Sequence, residues 1–141
     1  MQFLSLVFKD SKFSVYIRDD ADESVMAEIF KHHEYRAVEN IIKETAETIV
    51  DVGAHAGFFI LYARVLNKKA PILAIEPEKE NLSVLNRHIK ENKICQNCNK
   101  NFIIVVSILF LRFGLEFQET SYCHIKLFIL VLVTNYGRFS N

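Results

Sequence analysis

Two acids and two glycines stand at positions where a chain can bind a ligand at the end of a parallel sheet. Asp51 and Gly53 lie at the end of a short apolar run, and Gly57 comes four residues after Gly53. Glu76 lies 25 residues after Asp51. A glycine permits a sharp turn or the close approach of a ligand to the backbone. A carboxylate after the second strand of such a unit can accept hydrogen bonds from both hydroxyls of a ribose. These residues therefore predict a site for a ligand that contains a nucleoside.

The spacing of the glycines differs from that of the best-known nucleotide loop. Dinucleotide-binding loops have the pattern G-x-G-x-x-G, whereas the pattern from Asp51 to Gly57 is D-x-G-x-x-x-G. The difference weakens a nicotinamide interpretation without excluding it. Taken singly, the glycines are compatible with an ordinary turn, and Glu76 with a solvated acid at a strand end. Their combination at the ends of two successive strands favours a cofactor site.

The elements that position these residues follow from the hydrophobic periodicity. TIVDVG and PILAIEP are short apolar runs with β-branched residues, as in buried strands. GFFILYARVLN and EKENLSVLNRHIKEN have the spacing of amphipathic helices, and Pro77 suits the first turn of the second helix. The order strand, helix, strand, helix predicts a parallel sheet with right-handed crossovers. Gly57 is expected to let the first helix pack tightly against its strand.

The segment before the first buried strand predicts a hairpin and helices. Phe3–Phe8 and Phe13–Arg18 are rich in apolar and β-branched residues, and the polar KDSK between them predicts a turn. Asp20, with Glu23 three residues later, is typical of a capping box at a helix start. Residues 1–47 are therefore interpreted as a hairpin and a helical lead-in.

The stretch IVDVGAHAGFF, followed by APILAIEPEKENLSVLNRHIKEN, resembles the FkbM-type methyltransferases that use S-adenosylmethionine. Their signature is a strand ending in D-[VI]-G-A-[NH]-x-G-[YF], a second strand ending in A-x-E-P, and a helix with a Leu and a terminal Asn. A Glu-Tyr pair precedes the first strand in that family. The resemblance covers about residues 13–94. The matching residues are Glu34, Tyr35, Asp51, Val52, Gly53, Ala54, His55, Gly57, Phe58, Ala74, Glu76, Pro77, Leu85 and Asn92.

The resemblance implies an α/β fold: a Rossmann-like class I methyltransferase sheet, truncated, with the N-terminal hairpin and helical lead-in before it. It implies S-adenosyl-L-methionine as the cofactor and the hydroxyl group of a sugar or small molecule as the methyl acceptor. Glu34 and Tyr35 are interpreted either as contacts of the cofactor or acceptor, or as a surface pair at a helix end. The resemblance identifies neither a catalytic base nor a metal ligand. The implied cofactor-binding residues are Asp51, Gly53, Ala54, His55, Gly57, Phe58, Glu76 and Pro77.

The composition changes after residue 94. Residues 48–94 are interpreted as the cofactor-binding half of the domain, and residues 95–141 as an atypical hydrophobic tail. The tail contains all three cysteines and no Asp, although residues 1–94 hold 28 of the 34 charged residues. The family's later motif, K-I-D-x-E-G-x-E, is absent from the sequence. Asn101–Leu109 is compatible with a third strand.

Three interpretations of the tail remain open. It is a divergent continuation, a membrane-spanning segment, or the product of a shifted reading frame. Its apolar runs, 102–111 and 125–133, are each too short to span a membrane as a helix. A frameshift is the favoured hypothesis, because the loss of acids, the arrival of cysteines and the loss of pattern coincide.

Charge and cysteine content narrow the function classes. The formal net charge is zero, so the sequence gives no electrostatic indication of a nucleic-acid partner or an anionic membrane. The start, MQFLSLVFKD, does not resemble a signal peptide, and the odd cysteine number favours a reducing cytoplasm. Cys95, Cys98, Cys123 and His124 lack the two short-spaced pairs of a zinc site. The resemblance leaves two main hypotheses: an active methyltransferase, or an inactive remnant or binding module that retains the cofactor half. A nicotinamide enzyme with the same topology is a third, weaker one.

Overall fold

The computed structural model of the protein describes residues 1–94 and the backbone of residues 103–106. This part has mixed α/β content, with a two-stranded antiparallel sheet and a three-stranded parallel sheet. The interpretations of the four Cys and His residues in the tail, of its two apolar runs and of a frameshift lie outside the described residues. The elements are β1 (Gln2–Phe8), β2 (Ser11–Ile17), α1 (Asp20–Phe30), a 3₁₀ helix (Glu34–Val38), α2 (Glu39–Glu44), β3 (Ile49–Val52), α3 (Phe58–Leu66), β4 (Ile72–Ile75), α4 (Lys79–Glu91) and β5 (Ile103–Val106).

β1 and β2 form the predicted antiparallel hairpin. The turn consists of Lys9 and Asp10, which both have positive φ, at 43° and 64°. Two consecutive residues in this conformation match the right-handed twist of the flanking strands. The turn is shorter than the predicted KDSK segment, because Ser11 and Lys12 already pair with β1.

The start of α1 is capped by Asp19. The Asp19 carboxylate accepts a hydrogen bond from the backbone N–H of Asp22, at 3.0 Å. The predicted capping box at Asp20 and Glu23 is wrong, because the extended residue before the helix is Asp19, with φ −156° and ψ −176°. The Asp22 carboxylate in turn accepts the backbone N–H of Arg18, at 2.8 Å.

The parallel sheet has the strand order β3-β4-β5. α3 connects β3 to β4 and α4 precedes β5, which gives the predicted order of strands and helices. Ala74 pairs with Asp51 on one side and with Val105 on the other. β5 lies within the predicted third strand, Asn101–Leu109. Because the strands are parallel, their carboxyl ends meet at one edge, where ligands bind in open α/β sheets.

One hydrophobic core joins the hairpin and the parallel sheet. α3 is buried from Phe58 to Arg64, as expected for a helix that is covered on all sides. The ring of Phe8 in the hairpin lies 5.1 Å from that of Tyr62 in α3. The ring of Phe30, at the end of α1, lies 6.0 Å from the same tyrosine. The hairpin and α1 therefore pack against α3.

α4 begins at Lys79 rather than at Pro77. Glu78, its N-cap residue, is still extended, with φ −82° and ψ 123°. The prediction that Pro77 occupies the first helical turn is therefore wrong. The physical reason lies in Glu76, whose carboxylate accepts the backbone N–H of Glu78 at 2.9 Å and holds this segment out of the helix.

Candidate functional site

The candidate site lies where β3 and β4 end. The β3–α3 loop, residues 53–57, is fixed there by the neighbouring strand. The backbone N–H groups of Gly53 and Ala54 both donate to the carbonyl of Ile75, at 2.8 and 3.1 Å. The N–H of His55 donates to Glu76 Oε2 at 2.7 Å. The fold thus brings together the glycine loop and the acid that the sequence singled out.

Both glycines of the loop adopt a conformation that favours glycine. Gly53 has φ 78° and Gly57 has φ 84°. A Cβ atom at Gly57 would lie 2.9 Å from Leu85 Cγ. The expected close packing at Gly57 is therefore present, although the contact is with α4 and not with the strand. His55 also has positive φ, at 50°, which is uncommon for a residue with a side chain.

Asp51 is a buried acid with an unsatisfied oxygen. Asp51 is 3% exposed, and its Oδ2 has no hydrogen-bond partner among the described residues. Burial, reinforced by the nearby charge of Glu76, raises the pKa of Asp51 to about 7. An ionised, unpaired carboxylate in such a place destabilises the fold, and strongly shifted acids of this kind are typical of functional sites.

We expect the substitution Asp51→Asn to stabilise the protein at pH 8, by about 2 kcal/mol. The raised pKa means that stability is lost as pH rises from about 4 to about 7, because the unfolded chain releases the proton first. Asn avoids this loss but still buries an amide, so the gain stays below the full value of the shift. Urea unfolding of both proteins at pH 8 and pH 5 measures it. A gain that does not shrink at pH 5 would contradict this account.

Glu76 is buried and makes three hydrogen bonds within the described residues. It is 4% exposed. Its Oε2 accepts from the N–H of His55, and its Oε1 accepts from the N–H of Glu78 and from Asn81 Nδ2, at 3.1 Å. The carboxylate therefore links the β3–α3 loop to the start of α4. The sequence predicted a contact with ribose for Glu76 but not this structural role.

The other predicted cofactor residues differ in burial and in the groups that their side chains contact. The side chains of Ala54 and Phe58 are in the core, and the ring of Phe58 lies 5.3 Å from that of His88. Pro77 is exposed just after Glu76. The His55 ring is half-buried and lies 3.5 Å from Asp22 Oδ1, on the side of the lead-in.

Glu34 and Tyr35 differ in their exposure to solvent. Glu34 is exposed at the start of the 3₁₀ helix, whereas the Tyr35 ring is half-buried and lies 4.8 Å from the ring of Phe59. Burial and, after it, the charge of Asp51 raise the pKa of Tyr35 to about 12. Tyr35 therefore remains a protonated hydroxyl near Asp51 at neutral pH, and Glu34 has the position of a surface residue.

A polar cluster beside the loop escaped prediction from the sequence. Arg18 donates to both carboxylate oxygens of Asp22, at 2.8 and 2.7 Å, and Asp22 is completely buried. Burial acts to raise the pKa of Asp22, but the hydrogen bonds from Arg18 outweigh it and hold that pKa below its usual value. Arg18 Nη2 also donates to Asn81 Oδ1 at 2.7 Å. The four-residue spacing of Arg18 and Asp22 was the one available signal in the sequence.

The buried His88 side chain of α4 contacts the backbone of the β3–α3 loop. Its Nδ1 lies 2.7 Å from the carbonyl of Ala56, and its Nε2 accepts the backbone N–H of Tyr16 at 2.8 Å. These two bonds require the neutral ring with its proton on Nδ1. Burial lowers the pKa of His88, which favours that neutral form. The hairpin and the β3–α3 loop are thus joined through a single side chain of α4.

In the described part of the chain, none of the helices has the length and apolar character that a membrane span requires. Residues 1–94 also contain no cluster of three or more His, Cys, Asp or Glu side chains arranged to hold a metal ion.

Solved structures that are similar to part of the chain include two methyltransferases. A SAM-dependent methyltransferase from Agrobacterium tumefaciens matches 78% of this chain and 34% of its own length, with a TM-score of 0.49 and 11% sequence identity. A putative SAM-dependent methyltransferase from Streptococcus mutans matches 78% of this chain and 27% of its own length, with a TM-score of 0.45 and 14% identity. The chain thus spans about a third or less of these two proteins. No protein-family model and no curated protein matches it.

Proposed function

We propose that this chain carries the S-adenosylmethionine half-site of an FkbM-type methyltransferase, with a hydroxyl group of a sugar or small molecule as the acceptor. The observation that carries the proposal is the buried Oδ2 of Asp51, which has no hydrogen-bond partner within residues 1–94 and lies close to Glu76 at the carboxyl end of the parallel sheet. A cytoplasmic location belongs to the same proposal. The match of the loop and strand-end residues to the family motif supports it.

The residues present fit this cofactor. A buried carboxylate that lacks a partner is suited to a cationic group, since pairing with a cation removes the cost of its ionisation. S-adenosylmethionine has an ammonium and a sulfonium group, and when bound it supplies an electrophilic methyl group. Asp51 would hold the cationic part and Glu76 the ribose, beside the backbone of the β3–α3 loop. The N-cap residue of α3 is Gly57, so no side chain caps the helix N-terminus. Because the N-terminus of a helix favours negative charge, this end of α3 is open to an anionic group.

The missing later motif supports a second candidate function. The sequence lacks K-I-D-x-E-G-x-E, the acidic strand-end motif that lies beside the active site in the family it resembles. A chain with the cofactor half alone would bind S-adenosylmethionine without transferring its methyl group. The second candidate is therefore an inactive remnant or a binding module.

Calorimetric titration of the full chain with S-adenosylmethionine and with NAD tests the proposal. We expect S-adenosylmethionine to bind and NAD not to bind. Glu76→Ala should weaken binding, whereas Glu47→Ala, which changes an acid outside the site, should not. Binding of NAD alone would replace the proposal with a nicotinamide enzyme, and binding of neither would remove both. Methyl transfer to a panel of hydroxyl acceptors then separates the enzyme from the remnant.

We expect the affinity for S-adenosylmethionine to fall about tenfold per pH unit as the pH drops below about 7. The pKa of Asp51 is about 7, so at lower pH a proton competes with the cationic ligand for this carboxylate. Binding near pH 7 should accordingly release a proton, which calorimetry in two buffers of different ionisation enthalpy detects. Asp51→Asn should abolish both effects. Affinity that is constant between pH 5.5 and 8 would show that Asp51 does not face the cation.

A further inference from the structure

We propose that Asn81 is a positioning residue that orients the Glu76 carboxylate toward a nucleoside ligand and is itself held by the Arg18–Asp22 pair. The inference rests on the proposed function and concerns the same site. It assigns a purpose to three residues in the lead-in and in α4 that the cofactor motif does not contain. These residues form a continuous chain of hydrogen bonds, here called the Asn81 relay: Asp22, Arg18, Asn81 and Glu76.

The first step of the relay is rigid. Arg18 donates to Asp22 from Nε and Nη2, and the Arg18 backbone N–H donates to the same carboxylate at 2.8 Å. Such a forked pair of bonds fixes the plane of the guanidinium group. Asp22 is completely buried, so solvent does not compete for these bonds. Arg18 Nη2 also donates to Asn81 Oδ1 at 2.7 Å, a shorter contact than the 3.5 Å between the same nitrogen and His55 Nε2.

The second step fixes the orientation of the Asn81 amide. Because Arg18 only donates, the atom of Asn81 that faces it must be the oxygen. The amide nitrogen then faces Glu76 Oε1, at 3.1 Å, as a donor. The arginine thus prevents the amide from turning its oxygen toward the carboxylate, an orientation that would repel Glu76.

The third step separates the two oxygens of Glu76. A carboxylate accepts about four hydrogen bonds. Within the described residues Oε1 already accepts two, from Asn81 and from the N–H of Glu78, whereas Oε2 accepts one, from the N–H of His55. We infer that Oε1 is the structural oxygen and that the open position for a ribose hydroxyl is on Oε2.

The affinity ratio between adenosine and 2′,3′-dideoxyadenosine reports on this orientation. The two nucleosides differ only in their ribose hydroxyls, one of which Glu76 Oε2 would bind, so their ratio isolates that contact from the rest of the site. We expect the parent chain to prefer adenosine by about tenfold to 100-fold, the range for a hydrogen bond to a charged group. In Asn81→Ala the preference should fall to about threefold or less.

Two further variants make the result specific. Asn86→Ala removes an exposed asparagine from the same helix and should leave the ratio unchanged. Arg18→Lys keeps the charge opposite Asp22, but an ammonium group lacks the fork that reaches both Asp22 and Asn81, so the ratio should fall here too. Thermal melting of each variant shows whether it is folded, and Arg18→Lys carries the test if Asn81→Ala is not.

The outcomes separate this inference from the proposed function. If Asn81→Ala weakens both nucleosides equally, the residue has a structural role only and the inference is overturned, although the cofactor site stands. The same holds if Arg18→Lys keeps the parent's ratio. If the parent binds neither adenosine nor S-adenosylmethionine, the proposed function fails and the inference fails with it.

Discussion

Gly57→Ala is expected to lower the free energy of unfolding by about 3 kcal/mol. A side chain at φ 84° adopts the left-handed region, which costs about 1–2 kcal/mol. The new Cβ would also lie 2.9 Å from Leu85 Cγ, and forcing extra atoms into a packed core costs about 1–3 kcal/mol. Leu85 is completely buried and has little room to move. Urea unfolding at pH 7 measures the loss.

Gly53→Ala provides the matched control for this prediction. Gly53 shares the positive φ, at 78°, but is half-exposed. The same methyl group should therefore cost only about 1–2 kcal/mol there, which is the conformational part. The difference between the two variants isolates the contact with Leu85. Equal losses would mean that Leu85 yields and that the helix–helix contact does not require glycine.

The sequence was sufficient for the features that depend on local pattern. The hairpin, the alternation of strands and helices, and the ends of β3 and β4 all follow from periodicity, because a buried strand and an amphipathic helix differ within a few residues. The position of Glu76 at a strand end follows in the same way. The cap of α1 was displaced by one residue, from Asp20 to Asp19, since several adjacent acids can each cap a helix.

The polar contacts of the site were out of reach of such patterns. Arg18 and Asn81 are 63 residues apart in sequence, and His88 meets Tyr16 across 72 residues. No local period records which polar groups face one another once the hairpin lies against α4. Glu76 illustrates the consequence, because its sequence position predicts a ligand contact while three of its hydrogen bonds are made by the protein itself.

His88→Ala is expected to lower the free energy of unfolding by about 4 kcal/mol at pH 8. The His88 ring is 1% exposed and satisfies both the carbonyl of Ala56 and the N–H of Tyr16. Its removal leaves two buried backbone groups unpaired, at about 1–3 kcal/mol each, and opens a cavity. His32→Ala, at an exposed histidine, should change stability by less than about 0.5 kcal/mol. A loss below about 1 kcal/mol for His88→Ala would mean that water replaces both bonds.

The pH dependence of this loss separates the histidine's hydrogen bonds from its packing. Burial lowers the pKa of His88 below the usual histidine value of about 6.5, although the bond to Ala56 opposes the shift. Below about pH 6.5 the unfolded chain therefore binds a proton that the folded chain excludes. The contribution of neutral His88 to the free energy of unfolding is complete above about pH 6.5 and is lost as the pH falls. The difference between parent and His88→Ala should shrink between pH 7 and pH 5. A protonated ring would have no acceptor for the N–H of Tyr16, so the hairpin should separate from α4 before the parallel sheet unfolds. A difference that stays constant over this range would assign the effect of His88 to its volume alone.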